Sequence, residues 1–185
     1  MRKLAVIMCI ALLLSGCMGG NQELERAMEL RAKLLSGSCS FQTEITADYG
    51  DKIHTFGMYC EADSQGNVGF SVTSPDSISG ITGRFSNREG QLTFDDVALT
   101  FPLLADGQVT PVSAPYILIK TLQGGYVRSV GLDGEYLRVT IDDSYEEDAL
   151  QVDIWLDGNN LPIRAEILYD GRRILSMAIT DFRFL

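Results

Sequence analysis

The stretch Cys39-Ser40-Phe41-Gln42-Thr43-Glu44-Ile45-Thr46-Ala47 decides the fold, together with the return run that follows Asp48-Tyr49-Gly50-Asp51. Its odd positions are mostly apolar and its even positions polar, the period-two pattern of a half-buried strand. In the return run His54, Phe56, Met58 and Cys60 hold the even positions. Read as a hairpin with Tyr49-Gly50 as a two-residue loop, Asp48 faces Asp51, Phe41 meets Met58, Thr43 meets Phe56 and Cys39 meets Cys60. Both apolar rows then share one face. The facing thiols fall on a non-hydrogen-bonded pair, where Cα atoms lie about 4.5 Å apart, near the lower end of disulfide range. The pattern therefore predicts a Cys39–Cys60 bridge, with two buried free thiols as the alternative. The two aspartates repel if directly opposed, so a longer loop with a shifted register stays open.

The same period continues outward. Val68, Phe70 and Val72 alternate after an Asp63–Gly66 turn, and Ser74–Gly80 reads as a loop. Short strands are predicted over Ile81–Ser86, Gln91–Phe94 and Val97–Phe101, then an irregular stretch from Pro102 to Pro111. Ser113-Ala114-Pro115 opens a helix, since proline is tolerated in a first turn, and Gly124-Gly125 ends it. Five further strands are predicted near Tyr126–Leu132, Tyr136–Asp142, Leu150–Asp157, Ile163–Tyr169 and Ile174–Phe184. Short, evenly spaced strands with tight turns argue a mainly antiparallel sheet. The expected fold class is α+β, mainly β: one curved, unclosed antiparallel half-barrel with helices on its inner face.

At the other end, Arg2-Lys3 precedes an apolar run from Leu4 to Leu14. That run is shorter than the ~20 residues a spanning helix needs, and it has the shape of a secretory signal. Leu14-Ser15-Gly16-Cys17 resembles the bacterial lipobox, whose cysteine thiol is joined to a diacylglycerol before cleavage. The expected organisation is a lipoprotein signal over 1–16, a lipidated tether over 17–21 and one domain over 22–185. Asn21 is a plausible N-cap for a helix over 22–35. Leu24, Ala27, Met28, Leu34 and Leu35 form its apolar stripe, which Arg31 interrupts. Its polar face is rich in Glu and lacks the Lys/Arg excess of membrane-surface helices, so the helix is expected to pack on the sheet.

Composition narrows the partners. The full chain carries 15 basic and 25 acidic side chains, net −10. Loss of residues 1–16 removes Arg2 and Lys3 and leaves net −12 over 169 residues. Such a surface repels nucleic acid and gives no polybasic attraction to anionic lipid. Membrane attachment must then come from the acyl chains at Cys17, and two or more chains hold stably where one does not.

Catalytic machinery is hard to find. His54 is the chain's one histidine, and any Ser-His-Asp or Cys-His device would need it; it sits beside a turn at the end of an apolar row. Nucleophile elbow, phosphate loop and His-Glu-x-x-His are missing, so no enzyme, cofactor or metal centre is expected. The acidic run Asp142–Asp148 offers oxygen ligands for calcium but lacks the calcium-loop spacing, and reads as a solvated hairpin connection. Phe41, Phe56, Met58, Phe70, Val72, Phe94, Ile154, Ile167 and Phe182 are expected to face one concavity. Such residues make either a filled core or a loose lipid pocket.

Three features together resemble the LolA/LolB-like lipoprotein-carrier superfamily: the lipobox, helix and long hairpin; then Val72-Thr73-Ser74-Pro75 with Ile78-Ser79-Gly80-Ile81; then Trp155-Leu156-Asp157-Gly158-Asn159-Asn160-Leu161-Pro162-Ile163-Arg164-Ala165-Glu166-Ile167. Within it the chain is similar to Gram-positive envelope lipoproteins, clostridial germination lipoproteins among them. The resemblance implies an unclosed antiparallel barrel with helices under it, holding acyl chains or serving as a protein-binding scaffold, with no catalytic residues to carry over. Two functions follow as expectations. One is an envelope lipoprotein, anchored to the membrane at Cys17, that binds or transfers acylated molecules or lipoproteins. The other is an anchored, non-catalytic scaffold that docks a partner envelope protein.

Overall fold

The register of the first hairpin sets the geometry of the sheet. The computed structural model describes residues 19–50, 52–94, 97–105, 108–146 and 149–185. In it β1 (Cys39–Asp48) and β2 (Ile53–Ala62) pair with Cys39 opposite Ala62, Phe41 opposite Cys60, Thr43 opposite Met58 and Ile45 opposite Phe56. This is two residues away from the expected register, and it corrects the direct facing of Cys39 and Cys60. The cause lies in the turn. The last pair is Asp48 with Ile53, and the Tyr49 N–H donates to the Lys52 carbonyl at 3.0 Å. The Asp48 carboxylate accepts the Gly50 N–H at 2.8 Å. Asp48 is thus bonded into a longer connection, and its partner is apolar instead of acidic. A shift of two leaves every side chain on its face, so the apolar rows remain inside.

From β1 the chain steps outward by hairpins through β3 (Val68–Ser74), β4 (Thr82–Ser86), β5 (Glu89–Phe94) and β6 (Val97–Pro102). After a two-stranded ribbon, β7 (Leu104–Ala105) with β8 (Gln108–Val109), it crosses through a helix to β9 (Tyr126–Asp133). It then returns inward through β10 (Tyr136–Asp142), β11 (Gln151–Leu156), β12 (Pro162–Tyr169) and β13 (Arg172–Phe184). β13 pairs with β1, so the two halves join at the centre of one 11-stranded antiparallel sheet. Its terminal strands, β6 and β9, do not pair with each other. The sheet is therefore an unclosed half-barrel, as expected from the strand pattern.

Two helices line its concave face. α1 (Gly19–Ser36) begins two residues before the expected cap, which places Glu23 beyond the first turn, and buries Ala27, Leu30 and Leu34. No helix among the described residues is long and apolar enough to cross a membrane. α2 (Ala114–Gly124), preceded by a 3-10 turn at Pro111–Ser113, is buried along nearly its whole length; Lys120 and Gly124 alone are exposed. A helix apolar on all sides belongs inside a protein, and α2 lies in the hollow of the sheet. The Tyr116 ring stacks on Phe85 with centroids 5.4 Å apart, and its hydroxyl accepts the Arg88 N–H at 2.8 Å. Gln123 donates to the carbonyls of Leu34 and Asp63 at 3.0 and 3.3 Å, tying α1 to the turn between β2 and β3.

Two glycines let aromatic rings cross the inner face. A Cβ at Gly83 would stand 2.5 Å from the Phe70 ring, and one at Gly90 2.5 Å from Phe101 and 2.7 Å from Phe85. Any larger residue there displaces a ring.

Candidate functional site

The concavity is the natural place for a ligand, so its contents matter most. Eight of the nine expected cavity residues do turn inward and are buried: Phe41, Phe56, Met58, Phe70, Val72, Ile154, Ile167 and Phe182. Their ladders run across the sheet, as in Val139–Ile154–Ala165–Met177–Ile45–Phe56. Phe182 reaches Phe41 because β13 bulges at Asp181, with φ 53°, and the two rings stack at 5.4 Å. Phe94 is the exception. It is 55% exposed, at the far end of the β5–β6 hairpin, beyond the reach of either helix. Alternation gives the face a residue lies on; how far the helices cover that face depends on tertiary structure.

These eight side chains belong to one buried core with residues of α1 and α2, and Phe41 and Phe182 also border a recess of about 220 Å³ beside Tyr59 and Arg183. Between α1, Leu122 and the β9–β11 wall remains a void of about 10 Å³, lined by Ala27, Met28, Leu30, Val139, Ile141 and Leu156. That is about one water's worth of space. Larger recesses lie elsewhere: one of about 440 Å³ on the outer face beside Ser129, Gly131, Arg138 and Thr140, another of about 240 Å³ between Arg88, Leu103 and α2.

Arg31, the interruption in the α1 stripe, has a structural role that the sequence did not disclose. Its Nε donates to the Leu122 carbonyl at 2.7 Å and its Nη2 to the Gly125 carbonyl at 2.8 Å. It caps the C-terminus of α2 from the neighbouring helix, where carbonyls lack intrahelical partners and the helix dipole favours a cation.

The outer face carries a second cluster. Trp155 is buried there between two guanidinium groups, Arg164 at 4.4 Å and Arg138 at 5.2 Å from its ring centroid. Its indole N–H donates to Asp133 at 2.7 Å. Asp153, 1% exposed, accepts from Arg138 at 2.5 Å and from the Thr140 hydroxyl at 2.7 Å. Glu166 accepts from Arg164, and from Arg173 at 2.8 Å. Burial pushes its carboxyl up, but the hydrogen bonds and charges of Arg164 and Arg173 outweigh this and hold it below the ordinary glutamate range. The network satisfies itself and braces β10–β13. Its signal in sequence was faint: Trp155 sits at an odd position between core residues, and the register alone brings the arginines beside it.

Other expected sites fall as follows. Cys17 lies outside the described residues. His54 is exposed near the β1–β2 turn. In the acidic run, Asp142 pairs with Arg128 at 3.5 Å and Asp143 accepts the Leu150 N–H at 2.8 Å. Among the described residues no three His, Cys, Asp or Glu side chains gather as metal ligands would.

Cys39 and Cys60 are free and buried, and in this register they are diagonal neighbours on the inner face. Diagonal positions lie roughly 7–8 Å apart, at or past the reach of a disulfide. Burial pushes the Cys39 thiol up to about 12, and burial with the neighbouring Cys39 pushes Cys60 higher still. Neutral, inaccessible thiols are poor nucleophiles. Both are therefore expected to resist alkylation in the native protein and to react once it is denatured without reductant. Loss of both thiols from that count would restore the disulfide. The pH dependence follows from the same shift. The unfolded chain releases these protons near the ordinary value of 9.0, so their contribution to stability is complete below that pH. It is lost as the pH rises from 9.0 toward 12.

Comparison with known proteins bears on the fold. No protein-family model matches the chain, and no curated protein matches it in sequence. Solved structures are similar in the course of the chain. A LolA superfamily protein from Nitrosomonas europaea superposes with a TM-score of 0.45 at 11% identity, over 86% of this chain and 93% of that one. A chain from the complex of the CwlD amidase of Clostridioides difficile with the GerS lipoprotein gives 0.44 at 14% identity, over 87% and 95%. An uncharacterized conserved protein from Thermus thermophilus gives 0.49 at 11% identity, over 88% and 87%.

Proposed function

We propose that this chain is a non-catalytic scaffold of the bacterial cell envelope, exported and held on the membrane through lipidated Cys17, whose half-barrel presents a rigid outer surface to a partner envelope protein. One observation carries the choice between scaffold and carrier: α2 and α1 occupy the hollow in which a carrier of this shape would hold an acyl chain, and the void between α1 and the β9–β11 wall is about 10 Å³. Binding sites for small ligands span ~300–1,000 Å³. Seating an acyl chain would require α2 to leave, exposing Tyr116, Ile117, Leu118, Ile119 and Leu122, all at most 4% exposed now. At about 25 cal/mol per Å² of apolar surface, that displacement is costly.

The test is mass spectrometry of protein extracted natively from membranes and then treated with organic solvent, which removes bound lipid and leaves covalent acyl chains in place. The expected result is a protein carrying its Cys17 modification and no stoichiometric free lipid. One mole of extractable acyl lipid per mole of protein would return the carrier. The anchor is tested separately: Cys17→Ala is expected to leave the protein unprocessed or to release it from the membrane fraction, and normal retention of a processed mutant would remove the lipobox from the account.

A further inference from the structure

The two edges of the sheet are finished differently. Strand edges present unpaired N–H and C=O groups, and proteins protect them with charges, bulges or covering elements. β9 has such protection: α1 packs against it, Arg128 projects from it, and its ladder with β10 is interrupted by a bulge. β6 has none of these. Val97-Ala98-Leu99-Thr100 is exposed at every position, and Val97–Pro102 carries no charge in a chain of net −10. Among the described residues no strand lies on its outer side. On the inner face, Phe94, Val97 and Leu99 are 55%, 58% and 62% exposed and form a continuous apolar patch, since Phe94 faces Val97 and Leu92 faces Leu99.

The ladder tells which backbone groups are free. Asn87 and Arg88 both have positive φ, 50° and 66°, as a two-residue type I′ loop requires. Ser86 and Glu89 then exchange hydrogen bonds across that loop, and by alternation Gly90, Leu92 and Phe94 turn their backbone groups to β6. Their partners Phe101, Leu99 and Val97 turn theirs to β5. Ala98 and Thr100 are left facing outward. The next outward carbonyl, that of Pro102, already accepts the Thr110 hydroxyl at 3.3 Å.

We propose that a second copy of this chain pairs antiparallel along β6, with the two-fold axis passing beside Leu99. Ala98 of each copy then exchanges both backbone hydrogen bonds with Thr100 of the other, which satisfies the outward backbone groups of those two residues in both copies. Leu99 meets Leu99 across a non-hydrogen-bonded pair, and Val97 meets Phe101. The inner apolar patches of the two copies join into one surface, and the two half-barrels become one continuous sheet. Such an interface is isologous, as two-fold dimers are. The absence of charge argues for a second copy as the occupant: two processed chains of net −12 repel over most of their surface, and this strand lets them meet without opposing like charges.

Register makes the test specific. Cα atoms of a non-hydrogen-bonded pair are about 4.5 Å apart, within disulfide reach, so Leu99→Cys places two thiols in bonding position. Val97→Cys does not, because residue 97 faces residue 101 and lies roughly 13 Å along the strand from its own copy. The full chain carrying either substitution is treated in isolated membranes with a mild thiol oxidant and run on a non-reducing gel. L99C is expected to shift mainly to twice the chain mass, with V97C at least ten-fold less efficient. Adding Thr100→Pro to L99C removes one outward N–H without touching the β5 ladder and is expected to reduce the cross-link ten-fold or more. No homodimer from L99C, equal cross-linking of the two cysteines, or a cross-link only to a different protein would each overturn the proposal. Leu99 is solvent-exposed, so the cysteine leaves the packing of each copy unchanged.

Discussion

Phe41→Ala is expected to lower stability by about 3–5 kcal/mol, the range for truncating a large side chain in a packed core. Phe41 is 1% exposed, faces Cys60 across the hairpin and stacks on Phe182. Its neighbours are held by the sheet ladders, so they cannot collapse into the space it leaves. Phe94 belongs to the same expected row and differs only in lying beyond the helices. Phe94→Ala is therefore expected to change stability by about 0.5 kcal/mol or less, as substitutions at exposed positions do. Urea unfolding measures both: the Phe41 variant should move the midpoint without changing the slope. The contrast also separates a filled interior from a lumen. Were the inner face a ligand-sized pocket, Phe41 would resemble Phe94, and a cost below about 1 kcal/mol for Phe41→Ala would say so.

Parity was the part of this fold that the sequence made legible. Alternation in Cys39–Ala47 and in the return strand identifies the inner face correctly, and every strand from β1 to β13 except the short β7–β8 ribbon has a readable pattern. Register was less legible, because a shift of two residues preserves parity and only the turn can choose. Here the choice fell to Asp48, whose carboxylate bonds the Gly50 N–H instead of opposing a second aspartate. The hint lay in the sequence as a like-charge conflict at Asp48/Asp51, and the thiols lost their direct facing as a result. Coverage was not legible at all. Phe70 and Phe94 have equal claims to the interior by pattern, yet α2 lies over one and not the other. For the same reason the sequence left open whether the concavity was filled. Answering that required knowing that a helix with Tyr116, Ile117, Leu118, Ile119 and Leu122 crosses the hollow, where its apolar surface has no alternative place to go. Trp155 and Arg138, 17 residues apart in sequence, meet only through the β10–β11 ladder.

Arg31→Ala is expected to cost about 3 kcal/mol. Hydrogen bonds to a charged group contribute ~1.5–3 kcal/mol each, and Arg31 makes two, to the Leu122 and Gly125 carbonyls. Removing it leaves those carbonyls without their cationic donor, beside the apolar void between α1 and the β9–β11 wall. The chain cannot readily rearrange at this point, because a Cβ at Gly125 would already stand 2.6 Å from Ile141 and 2.7 Å from the Asp142 carbonyl. Arg31→Lys should recover part of the loss: it restores the cation at the helix terminus, but one ammonium cannot reproduce the fork that reaches both carbonyls. Arg26 supplies the comparison on the same helix. It bonds Asn160 and the Asp157 carbonyl at 2.6 and 3.1 Å, neither of them at a helix terminus where the dipole adds to the bond, so Arg26→Ala is expected to cost less than Arg31→Ala. Denaturant midpoints for the three variants should therefore fall in the order Arg26→Ala, Arg31→Lys, Arg31→Ala, from most to least stable. An Arg31→Ala midpoint equal to that of Arg26→Ala would show that α2 keeps its place without the arginine cap.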